Sequence, residues 1–196
     1  MKTTPLSLVV TIGAALLAGI VNLSAQSSPP QAAPANLSDF PEQGLVPQKR
    51  MLHIGIVVRD IEKSRDHWMK FLGLDKAPNI TIAAGDPKNP TEYRGLPSPA
   101  QAKLVFMTLD NLQVELIEPI GDAPSHWREF LDRKGEGVHH IAFAVKGMGE
   151  AYLEKYAQAG YATAQHGGWA TGEYGYMDTA AALGVTVELI ENYNRP

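Results

Sequence analysis

From Met51 onward the chain switches between two apolar spacings, alternation and a helical period, and it goes through the same order twice. Leu52, Ile54, Ile56 and Val58 fall on one face of a strand, while His53, Gly55 and Val57 fall on the other. Asp60 stands as N-cap of a helix predicted to run to about Leu72 and to stop at Gly73. Residues 78–100 are rich in Pro, Gly and Asn and read as a long loop holding at most one short strand. Residues 103–109 and 111–117 form a hairpin over the tight Asp110-Asn111 turn. A connector follows, helical from Pro124 to Lys134 and closed by Gly135 and Gly137. Then the order repeats: a strand over 138–145, a helix over 148–159 ended by Gly160, a strand near 161–165, and a strand pair near 173–178 and 184–191. The pattern predicts an α+β fold of two tandem βαβββ modules, over 49–119 and 138–196, joined by a connector over 120–137.

Each half carries the same chemistry at the same place. His53 opens one strand and His140 opens its counterpart, His-Ile-Ala-Phe-Ala-Val. Each half then ends in a strand with a glutamate among apolar residues, Val114-Glu115-Leu116 and Val187-Glu188-Leu189. His53 and Glu115 lie 62 positions apart and His140 and Glu188 lie 48 apart; the excess of 14 falls in the Pro/Gly loop before Lys103. Alternation turns both histidines and both carboxylates away from their large aliphatic neighbours, so in two curled half-barrels the four side chains converge on one cleft. A carboxylate on the concave side of a curled sheet is costly unless it is paired or bound to a cation. Imidazole with carboxylate suits Zn, Ni, Co, Mn or Fe and does not choose among them. Positions left to water make such a site catalytic in type. A lone strand histidine or glutamate is usually ordinary core or surface; their recurrence at corresponding points of a repeat makes these four one candidate site.

The other histidines are placed less centrally. His139 is read as a neighbour of the site or a surface residue, and His67 and His126 as solvated helix or loop residues. His166 is kept as a pocket candidate because it sits in a Gly-rich stretch with Trp169, Tyr174 and Tyr176. Tyr93, Arg94 and Trp169 lie in the two loops expected to frame the cleft and are candidate substrate contacts.

Composition narrows the classes. A net charge of −4 and a pI near 5.8, with no basic stripe, argue against a nucleic-acid partner. The absence of cysteine removes disulfides, zinc ribbons and thiol nucleophiles. Lys2, an uncharged run from Leu6 to Val21 and then Leu23-Ser24-Ala25 read as a signal peptide over 1–25. The chain is therefore expected to be exported, periplasmic or secreted, and membrane-anchored if that segment stays uncleaved. Residues 26–48, with five prolines among Ser, Gln, Ala and Asn, read as a flexible tether.

At these residues the chain resembles the vicinal oxygen chelate superfamily, which includes glyoxalase I, methylmalonyl-CoA epimerase, extradiol dioxygenases and the fosfomycin and bleomycin resistance proteins. The resemblance covers about residues 51–192, and its most specific stretch is VELIEPIGDAPSHWREFLDRKGEGVHHIAFAV at 114–145, similar to the epimerase branch. It implies a curled mixed sheet and one divalent transition metal held by His53, Glu115, His140 and Glu188, an order the microbial glyoxalase I branch shares. It further implies chemistry through an enediolate, with Glu188 as base and Glu115 returning the proton. Epimerases carry another carboxylate base on the third strand of the first module; here that position aligns near Val105, a departure from their pattern. Lys and Arg are few in the cleft-facing strands, which leaves a CoA phosphate clamp without cations. The resulting expectation is an exported metal-dependent isomerase or lyase acting on a small hydroxy-carbonyl compound. A non-catalytic exported protein that binds a metal or small molecule, of the bleomycin-resistance type, and a metal-dependent dioxygenase are the alternatives. A homodimer, with modules pairing across chains, stays open beside pairing within one chain.

Overall fold

The computed structural model describes residues 44–46 and 48–194. The expected signal segment and most of the expected tether lie outside the described residues. The elements are β1 (Met51–Val57), α1 (Ile61–Leu72), β2 (Thr81–Ala83), β3 (Glu92–Tyr93), β4 (Leu96–Pro97), β5 (Gln101–Thr108) and β6 (Gln113–Ile120). They continue with α2 (His126–Lys134), β7 (Gly137–Ala144), α3 (Glu150–Gln158), β8 (Thr163–Trp169), β9 (Gly172–Met177), α4 (Ala180–Leu183) and β10 (Thr186–Asn192). All strands join one curled mixed sheet in the order β2-β5-β6-β1-β7-β10-β9-β8-β3-β4.

The order is pseudo-symmetric about the β1–β7 pair, which is antiparallel. On either side a parallel partner follows, β6 beside β1 and β10 beside β7. A parallel pair needs a crossover, and α1 and α3 supply it. In α1 the Asp60 carboxylate accepts from the Lys63 N–H at 2.9 Å, and Gly73 ends the helix in the left-handed region at φ 67°. Its apolar stripe, Ile61, Trp68 and Leu72, packs on Val105, Met107, Val114 and Leu116. On the other module Tyr152, Leu153 and Tyr156 cover Ile141, Phe143, Val187 and Leu189.

The repeat extends one residue type further than the ligand pattern. Both modules read Val-Glu-Leu-Ile-Glu, at 114–118 and 187–191. The last glutamate of each run serves the entry to the module's helix. Glu118 accepts from the Ile61 N–H at 2.8 Å, and Glu191 accepts from the N–H groups of Gly147 and Met148 at 2.9 and 2.5 Å. A carboxylate there meets orphan amides and the positive end of the helix dipole.

Three expectations are corrected. The loop before Lys103 leaves its own module: β3 pairs with β8, so this strap extends the second module's edge. Residues 166–169, expected in a loop, are the end of β8, where a Cβ on Gly168 would stand 2.8 Å from Asn89 Cβ in the strap. The tether does not run free to residue 48, because Leu45 and Val46 pack beside α3 and the Leu45 carbonyl accepts from the Tyr152 and Tyr156 hydroxyls at 3.0 and 2.9 Å. Helix α2, capped by Ser125, puts Trp127 and Leu131 against Val57, Ala102, Ile117, Ala164 and Tyr176, closing the core on the concave side.

Candidate metal centre

The central strands bring four side chains to one point. Glu115 sits beside Gly55 in the β1–β6 register, and Glu188 beside Ala142 in the β7–β10 register. Across the β1–β7 pair His53 faces Ala142 and His140 faces Gly55, so each imidazole lies over a residue too small to displace it. A Cβ on Gly55 would meet the His140 ring at 2.0 Å, so glycine is a steric requirement there.

His53, Glu115, His140 and Glu188 are all buried, and one ligand atom from each lies within 4.8 Å of the others. His53 Nε2 is 2.9 Å from His140 Nε2, 3.2 Å from Glu115 Oε2 and 2.9 Å from Glu188 Oε2; His140 Nε2 is 3.3 and 3.1 Å from those two oxygens. Two donors about 2.1 Å from a shared ion stand roughly 3.0 Å apart at a right angle and roughly 3.4 Å at the tetrahedral angle. The donor set therefore has the spacing of a coordination sphere. Moreover, Glu115 Oε2 and Glu188 Oε2 are buried without accepting a directed hydrogen bond, although imidazole nitrogens surround them. Buried carboxylate oxygens are costly in that state, and a cation among them removes the cost. The residues fit a divalent transition ion.

Charge tells the same story. Burial alone would lower the His53 pKa, yet contact with Glu115 and Glu188 outweighs it and pushes it up to about 10. His140 is raised on the same grounds, against complete burial. Burial would raise both glutamates, but the imidazoles hold them below the ordinary carboxylate range. Without an ion the two carboxylates favour positive charge on the imidazoles, and a divalent ion can supply that positive charge instead.

Two outer imidazoles continue the cluster. His139 Nδ1 lies 2.9 Å from His140 Nδ1, and His139 Nε2 lies 2.8 Å from His126 Nδ1. His126, expected in solvent, is instead buried, a correction, whereas His139 takes the first of its two expected places, beside the site rather than at the surface. Burial pushes His126 down to about 4 and His139 well below its ordinary value, so both are neutral.

These opposite shifts set a pH optimum for the metal-free protein. The raised pair, His53 and His140, contributes stability that is complete below pH 6.5, the unfolded value, and is lost as pH rises through their raised values, about 10 for His53. The lowered pair, His126 and His139, contributes stability present above 6.5 and lost as pH falls through their lowered values, about 4 for His126. Thermal midpoints of the metal-free protein are therefore expected to peak near pH 6.5 and fall on both sides. With Zn(II) bound, the alkaline decline should disappear, because proton displacement makes binding tighter as pH rises. Melting curves across pH 4–10 with and without Zn(II) check this; an alkaline decline unchanged by Zn(II) would contradict it.

A cleft of about 880 Å³ opens above the centre, with His53, Glu115 and Glu188 in its floor. Phe106, Trp127, Trp169, Tyr174 and Tyr176 give it aromatic walls. Trp169 thus stands at the cleft, whereas Tyr93, Arg94 and His166 do not line it. Arg94, at a left-handed φ of 50°, pairs with Glu129 at 2.9 Å and Asp178 at 3.1 Å, and the Tyr93 hydroxyl donates to Glu129 at 2.5 Å. They latch the strap onto α2 and the second module. His166 is paired with Glu173 at 2.9 Å on β8. Nor does Val105 face the cleft; it packs under α1. The β5 residues on the concave side are Ala102, Leu104, Phe106 and Thr108, and none is an acid.

A half-barrel of two βαβββ modules with imidazole and carboxylate side chains converging at its axis is the architecture of the vicinal oxygen chelate proteins. The chain belongs to the glyoxalase/bleomycin resistance protein/dioxygenase superfamily, whose family model matches residues 52–178. An uncharacterized Bacillus subtilis protein, YqjC, is 31% identical over 102 residues, 52% of this chain and 61% of the relative. The mitochondrial methylmalonyl-CoA epimerase of Bos taurus is 30% identical over 123 residues, 61% of each chain. The match thus spans about 61% of the length of these curated relatives. A crystal structure of a hypothetical protein from Bacillus halodurans C-125 aligns with 75% of this chain and 96% of its own, at a TM-score of 0.51 and 21% identity. That likeness is one of fold.

Proposed function

We propose that the protein is an exported, metal-dependent isomerase or lyase acting on a small compound with adjacent hydroxyl and carbonyl groups. The observation that carries this reading is the pair of buried, unsatisfied carboxylate oxygens that converge with two imidazole nitrogens in the floor of an open cleft. His53, Glu115, His140 and Glu188 would hold the ion. A divalent ion there supplies Lewis-acid stabilisation of the negative charge that develops on substrate oxygens when a proton leaves the neighbouring carbon. Glu188 would take that proton, and Glu115, from the other module, would return one that it has drawn from cleft water on the opposite side. The aromatic walls orient the substrate and limit water.

Methylmalonyl-CoA, named in the bovine relative, fits this cleft poorly. Among the described lining residues Arg50 is the lone Lys or Arg, and Asp86 and Asp110 also line the cleft. A polyphosphate tail needs more cations than that. The missing acid on β5 also favours a reaction run by the metal-binding glutamates alone. That absence equally favours the second reading, a binding protein without turnover. A fourth protein ligand argues against a dioxygenase, which commonly uses two histidines and one carboxylate with open positions. Export rests on the composition of residues 1–25.

The test is solvent deuterium exchange into a panel of α-hydroxy ketones and aldehydes by metal-loaded protein. Exchange is expected in the wild type, and Glu188→Gln should lower its rate by about 10²–10⁴-fold while metal stays bound. Full exchange in Glu188→Gln would remove Glu188 as base. Metal binding with no exchange across the panel would favour the binding protein.

A further inference from the structure

We propose that His139 and His126 form an outer imidazole chain that locks His140 in the tautomer presenting Nε2 to the ion; this rests on the metal-centre reading above. The backbone creates the chain. In the β1–β7 register Gly55 pairs with His140 and Ile56 with Val138, leaving His139 as the extra residue of a β-bulge. A bulge breaks alternation, so the adjacent His139 and His140 turn to the same concave face. The matching bulge in β1 carries Leu52, so the device belongs to one half of the pseudo-symmetric centre.

Hydrogen-bond logic then assigns every proton. A neutral imidazole has one donor and one acceptor nitrogen. For His140 Nε2 to offer a lone pair, its Nδ1 must carry the hydrogen and donate to His139 Nδ1 at 2.9 Å. His139 Nε2 then carries its hydrogen and donates to His126 Nδ1 at 2.8 Å. The reversed chain would put a hydrogen on His140 Nε2, aimed at His53 Nε2 2.9 Å away, and would block the ion. The far end is anchored. The His126 backbone N–H donates to Gln165 Oε1 at 2.7 Å, and its ring stacks on Tyr176 at 5.8 Å. Phe130 and Tyr176 meet the His139 ring edge-on at 5.1 Å, holding its plane.

The test uses the full-length protein, Zn(II) as the probe, and His139→Phe beside His139→Gln. Partners of ligating histidines commonly contribute 10–100-fold to metal affinity. His139→Phe should therefore raise the Zn(II) Kd about 10–100-fold, and His139→Gln, which keeps an acceptor and a donor, should restore part of the loss. In ¹⁵N-edited spectra of the Zn(II)-bound wild type, His140 should carry its proton on Nδ1. This spectrum decides even if His139→Phe fails to fold. A proton on His140 Nε2 in the bound wild type, or wild-type Zn(II) affinity in both variants, would overturn the chain. Wild-type protein that takes up no Zn(II) would overturn the centre and the chain together, which separates the two failures.

Discussion

His140→Ala should lose tight metal binding altogether and destabilise the metal-free protein as well. The ring is fully buried, packed over Gly55 and tilted against Tyr176 at 4.9 Å, so its loss leaves a cavity the flanking strands cannot close. It also leaves Glu115 and Glu188 facing His53 alone. Two buried carboxylates cannot both stay ionised beside one imidazolium, and one is driven to take up a proton. Breaking a buried ion pair typically costs about 3–5 kcal/mol. For the metal, the loss of an inner ligand should exceed the 10–100-fold seen when an outer partner is removed. Urea unfolding of the chelated protein and Co(II) titration read the two effects separately. Co(II) affinity within tenfold of wild type would mean that His140 is not a ligand.

The smallest substitution with a large expected effect is Gly55→Ala. The added methyl would sit 2.0 Å from His140 Cε1 and 2.4 Å from each ring nitrogen. The ring has nowhere to go: Tyr176, His53 and His139 surround it with centroids at 4.9, 5.1 and 5.2 Å. Overpacking of this kind costs about 1–3 kcal/mol. Here the displaced atoms are also those that would bind the ion. Gly55→Ala is thus expected to weaken Co(II) binding at least tenfold while unfolding stays cooperative. Ala142→Gly, on the other side of the pseudo-axis opposite His53, removes a methyl that already fits and should cost only about 0.5–1 kcal/mol. Unchanged metal affinity in Gly55→Ala would show that the ring has room the geometry denies it.

The contrast between what the chain reveals and what it conceals follows from alternation. Strands β1, β6, β7 and β10 were legible because each buries both faces in different ways, aliphatics under a helix and ligands or small residues toward the cleft. The convergence of His53, Glu115, His140 and Glu188 followed from that count. His139 was not placed, because counting by twos assumes an unbroken ladder and the bulge resets it; the visible signal was an adjacent histidine pair following Gly135 and Gly137. The repeated last glutamate of Val-Glu-Leu-Ile-Glu was visible in the sequence, but its service to the helix entry was not, because the accepting amides lie in another element. The strap was not. Two-residue strands such as Glu92–Tyr93 have no period, and their partner lies in the other module. Tyr93 and Arg94 therefore read as cleft residues, whereas Glu129 and Asp178 hold them against α2 and the second module.

The measurement that bears most directly on the metal centre is stoichiometry on the full chain, purified without chelator and offered Ni(II), Co(II), Zn(II), Mn(II) and Fe(II) in turn. The geometry calls for about one ion per chain, with protons released on binding as the ion displaces them from the imidazoles. No ion taken up from any of the five metals, with the protein folded, would contradict the metal centre and leave the four side chains as a buried ion-pair cluster.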